Sequence, residues 1–135
     1  MTVRLRLPSS KIPLYDFQIR YYIKRSKVPN FRGIFCRDTL PPKVRINECG
    51  IINLDLSTNG GTHWVAYSKR GNIVHYFDPL GNVPPPPTAL AYFGKNVTVL
   101  YNHNAAQTLN SVNCGHCCIK FLVSTTTKKK KKKKK

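Results

Sequence analysis

Acidic residues are scarce in this 135-residue chain: five Asp and Glu stand against 23 Lys and Arg, for a formal net charge of +18. Eight of the lysines form the run Lys128–Lys135, and without them 15 basic residues still face five acidic ones. That imbalance favours a polyanionic partner or an acidic surface over a neutral one, with a solvated basic face as the plain alternative. Long apolar runs are also lacking. No stretch approaches the roughly 20 residues that span a bilayer, which excludes a membrane-spanning helix and a membrane partner of that kind. The opening MTVRLRLPSSKIP has no apolar core of a signal peptide, so an intracellular, non-secreted protein is expected. Asn96-Val97-Thr98 then has no meaning as a glycosylation acceptor. The five cysteines, Cys36, Cys49, Cys114, Cys117 and Cys118, are odd in number and irregularly spaced, which argues for reduced thiols and against a disulfide framework. There is no internal repeat, and the length fits one domain, residues 1–127, ahead of the 128–135 lysine tail.

What is present reads as an α+β chain. Residues 13–24 begin with proline and place Leu14, Phe17, Tyr21 and Tyr22 near helical spacing, predicting a short amphipathic helix. Residues 26–48 are basic and broken by Pro29, Gly33, Pro41 and Pro42, which reads as loop. GIINLDL, 50–56, reads as a buried strand, followed by a turn at Asn59-Gly60-Gly61. A hairpin follows from Trp64 to Phe77, and Pro84–Pro87 form a stiff connector into a short helix that Gly94 ends. VTVLY, 97–101, is a further strand. From Cys114 an apolar segment predicts a helix with Cys117, Cys118, Phe121 and Leu122 on one face.

Two segments carry chemistry. With the hairpin turn centred on Arg70-Gly71, Ser68 faces Ile73, Ala66 faces His75, Trp64 faces Phe77 and His63 faces Asp78. Opposed side chains have Cβ atoms roughly 4.5–5.5 Å apart, close enough for a carboxylate to hold an imidazole and stabilise its charged form. A strand-end histidine beside a turn aspartate is the bland alternative. The second segment is QTLNSVNCGHCC, 107–118. A cysteine at a helix start meets loose N–H groups and the positive end of the macrodipole, both favouring thiolate, and Asn113 suits the cap. Gln107 and the Cys114 backbone N–H are the candidate donors to an oxyanion.

Cys114-Gly115-His116-Cys117 also matches a dithiol redox motif. Thioredoxin-like folds place that motif early, at the first helix after a strand, whereas here it comes late with only Ile119 to Thr127 before the lysines. A zinc site from Cys114, Cys117 and Cys118 or His116 lacks a second ligand couple, since Cys36 and Cys49 are too far apart for a knuckle. Packing on the helix accounts better for Cys117 and Cys118. No metal or other cofactor is expected.

The ordered set GTHWVAY, YFDPLG, Gln107 and NCGHCCIKFL resembles the adenovirus-type endopeptidases (adenains), cysteine proteases of the clan that contains the SUMO-specific proteases. FRGIFCRDTLP and ECGIINLDL resemble most the adenain-like proteases of Maverick/Polinton mobile elements and related viruses. The resemblance spans about residues 13–123. It implies a papain-like fold with an antiparallel sheet packed on the cysteine helix, and His63 as base, Asp78 as its acid, Cys114 as nucleophile and Gln107 as oxyanion donor. It further implies a cysteine endopeptidase cutting near glycine or other small residues in capsid or virion precursors, a monomer, nuclear or virion-associated, with DNA met through the basic N-terminal half. A protease for ubiquitin-like proteins and a non-enzymatic basic DNA-binding module are the alternatives. The stretch from Gly94 to Gln107 has no cysteine to link a peptide activator. Since AAA encodes lysine, Lys128–Lys135 read as translated poly(A), and the domain as cut short of its relatives, with Phe121 and Leu122 left exposed.

Overall fold

The computed structural model describes residues 15–54, 63–106 and 114–133, with backbone only for 127–133. Its elements are α1 (Asp16–Arg25), β1 (Phe31–Cys36), β2 (Asn47–Asn53), β3 (Trp64–Arg70), β4 (Ile73–Phe77), α2 (Pro87–Phe93), β5 (Thr98–Tyr101) and α3 (Cys114–Lys133). The five strands form one sheet in chain order. β3 is antiparallel to both of its neighbours, β2 and β4, but β1 runs parallel to β2 and β5 parallel to β4. The class is α+β with a mixed sheet, which corrects the expected wholly antiparallel one. The outer strands pair in parallel because each reaches its neighbour through a crossover: residues 37–46 after β1, and α2 after β4.

Helices cover both faces. On one side Ile19 and Ile23 of α1 and Cys114, Cys118, Ile119 and Leu122 of α3 pack against Cys49, Ile51, Trp64 and Ala66. On the other, Ala89, Tyr92 and Phe93 of α2 pack against Ile52, Val65, Tyr67, Val74 and Tyr76. β2 and β3 are therefore apolar on successive residues, as strands buried on both sides must be.

Several expectations change. α1 turns Ile19 and Ile23 inward and leaves Phe17 and Tyr21 exposed, because the i, i+4 isoleucine pair fits between α3 and β1. Within 26–48, FRGIFC forms β1, since the prolines stand outside it at Pro29 and Pro41 and Gly33 marks an irregular register against β2. Leu122 is fully buried, and Phe121 stacks on Phe77 with ring centroids 4.9 Å apart, so neither is bare: α1 and β4 cover them. Full burial of a side chain such as Leu122 is worth roughly 1.5–3 kcal/mol. α3 continues without a break into the lysines as far as Lys133. The Asn59-Gly60-Gly61 turn lies outside the described residues.

The hairpin forms with a register two residues from the expected one. Arg70 pairs Ile73, Ser68 pairs His75 and Ala66 pairs Phe77, so the two-residue loop is Gly71-Asn72. Gly71 adopts φ +55°, a conformation that glycine takes without cost and that arginine would resist in the same loop position. An even shift keeps every side chain on its expected face, since strand side chains alternate with period two.

The second core is anchored by a buried carboxylate. Glu48, whose side chain has no exposure, accepts hydrogen bonds from the hydroxyls of Tyr67 and Tyr92 (the latter 2.8 Å), the Arg45 N–H (2.7 Å) and Arg32 Nη1 (3.3 Å). Gly50 makes room: a Cβ there would come within 2.8 Å of the Tyr67 ring. Lys69 Nζ donates to the carbonyls of Arg45 and Ile46 at 3.0 and 3.1 Å, fixing the crossover that leads into β2. Tyr67→Phe, which removes one donor from this carboxylate, is expected to cost about 1–3 kcal/mol in urea unfolding without changing the far-UV spectrum. An unchanged midpoint would mean that the hydroxyl carries no net stabilisation.

Candidate active site

The site lies at one end of the sheet, where β3 begins, β4 ends and α3 starts. His63 directly precedes β3, Asp78 directly follows β4, and Cys114 is the first residue of α3. His63 Nε2–H donates to Asp78 Oδ1 at 2.8 Å. The Trp64 backbone N–H donates to Cys114 Sγ at 3.4 Å, which seats the sulfur at the mouth of β3. With Nε2 committed to Asp78, Nδ1 is the ring nitrogen left for the hydrogen bond between His63 and the Cys114 side chain. In the observed register His63 and Asp78 are diagonal neighbours rather than opposed residues, and their side chains close the remaining gap.

The electrostatics pull these groups toward an ion pair. Burial works against a charge on His63, but hydrogen bonds to Asp78 and Cys114, with the negative charge of both, outweigh it and lift the imidazole to about 9. Burial would raise the Cys114 thiol. The His63 hydrogen bond, the Trp64 N–H, the imidazolium charge and the Gly115 N–H outweigh it and hold the thiol below its ordinary value. Cys49 is pushed up to about 12 by burial, Cys117 is raised by burial, and fully buried Cys118 is raised far more. Of these four thiols only Cys114 is moved toward thiolate.

The Asp78-Pro79-Leu80-Gly81 turn explains why an aspartate stands before a proline. Pro79 sets the second turn position, the Gly81 N–H closes on the Asp78 carbonyl at 2.9 Å, and the Leu80 N–H donates to Asp78 Oδ1 at 3.0 Å. Gly81 has φ +79° and passes under the 104–105 backbone, where a Cβ would come within 2.6 Å of the Ala105 nitrogen. Asp78 itself is 1% exposed.

Asn102, which follows β5, was not singled out by the sequence. Its Oδ1 accepts the Asp78 N–H at 2.9 Å and its Nδ2 donates to the Asp78 carbonyl at 2.7 Å, so one amide grips both sides of the residue that holds His63. Its backbone carbonyl accepts the Asn82 N–H at 2.8 Å, and the Ala106 N–H reaches the Pro79 carbonyl at 2.7 Å. The partner is 24 positions away, so no local pattern could reveal the clamp; a polar residue ending an apolar strand was the only hint.

The structure thus brings together His63, Asp78 and Cys114. Gln107 and Asn113 lie outside the described residues. Among the described residues no three His, Cys, Asp or Glu side chains are grouped to hold a metal ion, and no helix is long and apolar enough to cross a membrane. The chain matches no known family model and no curated protein.

Alkylation of Cys114 by iodoacetamide is expected to stay fast well below the usual thiol range of about 8.5, ahead of the other cysteines. Peptide mapping at pH 6 and pH 8 would show it, and preferential labelling of Cys117 or Cys36 would contradict the assignment. Because folding raises the His63 value above its ordinary 6.5 or so, its contribution to stability is complete below that pH and is lost as pH rises through about 9. Denaturant titrations at pH 6 and pH 10 should differ in that sense, and the difference should shrink in His63→Gln. For Asn102→Ala, a folded protein whose His63 titrates lower than wild type by NMR is expected. An unmoved His63 titration would reduce Asn102 to a turn-stabilising role.

Proposed function

We propose that this protein is a cysteine endopeptidase. The observation that carries the reading is the convergence of an activated thiol, an imidazole bonded to it and a buried carboxylate bonded to the imidazole, from three separate elements. In this reading Cys114 thiolate attacks a peptide carbonyl and His63 delivers its proton to the departing amine, leaving an acyl-enzyme. His63 then takes a proton from the water that hydrolyses the thioester, while Asp78 keeps the ring oriented and stabilises its charge. The Cys114 N–H at the start of α3 is one donor to the oxyanion, and Gln107 is the second by the resemblance to adenains. That resemblance also supplies the substrate class: sites beside glycine or other small residues in capsid or virion precursors of viruses or mobile elements.

A second reading, a basic module for nucleic acid, draws on one observation. Arg20, Lys24, Arg25, Lys27, Arg37, Lys43 and Arg45 are all exposed on and after α1. The two readings separate cleanly. Cys114→Ala is expected to abolish cleavage of glycine-containing peptides, and Asp78→Asn to lower it by about 10²–10⁴-fold, both with native circular dichroism. Wild-type protein that cleaves no such peptide, with or without DNA, while binding duplex DNA as tightly as Cys114→Ala, would favour the second reading.

A further inference from the structure

The CGHC turn contains a second thiol that the proposed proteolysis does not use. Cys114 and Cys117 stand three residues apart in the first turn of α3, with Gly115 between them. Residues at that spacing share a helix face with Cβ atoms roughly 5–6 Å apart, so a modest tightening of the first turn reaches disulfide geometry. Cys117 is half-buried, and its thiol points to the neighbouring loop, donating to the Ala106 carbonyl at 3.8 Å. Cys118, the other nearby thiol, is completely buried with Ile119 and Leu122 against β3.

We propose that Cys114 and Cys117 form a reversible disulfide under hydroperoxide, making the CGHC turn an oxidative modification site on the nucleophile. The inference rests on Cys114 being a reactive thiolate, as in the proposed function. Cys114 Sγ attacks one peroxide oxygen, the O–O bond breaks, and a sulfenic acid forms as hydroxide leaves and is protonated to water. Cys117 Sγ then attacks Cys114 Sγ, the S–O bond breaks, and water departs with the Cys117 proton as the S–S bond forms. The two sulfurs together lose two electrons and one peroxide is reduced to two waters. The roles are divided by environment: Cys114 has His63 and the Trp64 N–H to stabilise its thiolate, while Cys117 is the accessible partner that resolves the sulfenic acid. Closing the bridge removes the Cys117–Ala106 contact and spares Cys114 from irreversible sulfinic acid.

The test is stoichiometric hydrogen peroxide on the reduced full chain, read by intact mass, peptide mapping and iodoacetamide uptake before and after dithiothreitol. Wild type should lose two hydrogens, show a Cys114–Cys117 cross-link, and regain at least about 90% of its Cys114 labelling on reduction. Cys117→Ser should instead gain one oxygen at Cys114 and, when given excess peroxide, two or more, regaining little labelling on reduction, whereas Cys118→Ser should behave as wild type. A Cys114–Cys118 bridge, oxygen gain without a bridge in wild type, or identical behaviour of wild type and Cys117→Ser would overturn the proposal. None of these readouts needs peptide cleavage. A chain that bridges but cleaves nothing refutes the peptidase and leaves the disulfide standing, and a chain that cleaves but never bridges does the reverse.

Discussion

The carboxylate of Asp78 is held almost entirely out of water, and much of the site is arranged around that fact. A buried carboxylate is tolerated when donors and a positive charge surround it. Here the donors are the Leu80 N–H and His63 Nε2–H, both on Oδ1. The residue is kept in place from behind by the Asn102 amide, and the turn that carries it is drawn tight by Pro79 and Gly81. Holding His63 in its charged form is the other half of the same arrangement. The imidazolium offsets the buried negative charge on one side and draws the proton off Cys114 on the other.

Local chemistry singled out, ahead of the fold, the three residues that the fold brings together. Cys114 could be read from the start of an apolar helical segment, and His63 with Asp78 from a hairpin whose two ends meet. The register was misread by two residues because Arg70-Gly71 and Gly71-Asn72 are both plausible loops, and only the backbone angle of Gly71 decides between them. Parity rescued the pairing. β1 was hidden because its residues are half-buried throughout and its partner β2 lies across a crossover, so neither alternation nor a tight turn announced it. Glu48 and Asn102 escaped for a different reason: each works through partners distant in sequence, and a lone glutamate or asparagine has no spacing to read.

The mixed sheet separates two tasks. The face under α2 is fastened by Glu48 and its tyrosines, remote from the thiol. The face under α1 and α3 is apolar, and α3 is set down on β3 so that its first residue meets the first N–H of the strand. Packing of Cys118, Ile119 and Leu122 thereby fixes the height of Cys114 at the sheet's end. Rigid elements on both sides suit a site whose geometry must hold within fractions of an ångström.

Chain order has a bearing on biosynthesis. The sheet, the imidazole and its carboxylate all precede α3, so a ribosome extrudes them first, and the sulfur comes with the element that also closes the core over Trp64 and Ala66. Under the proposed chemistry, a nascent polypeptide is incapable of cutting its neighbours until the moment its own interior is sealed. Competence therefore cannot precede the packing of α3 against the sheet.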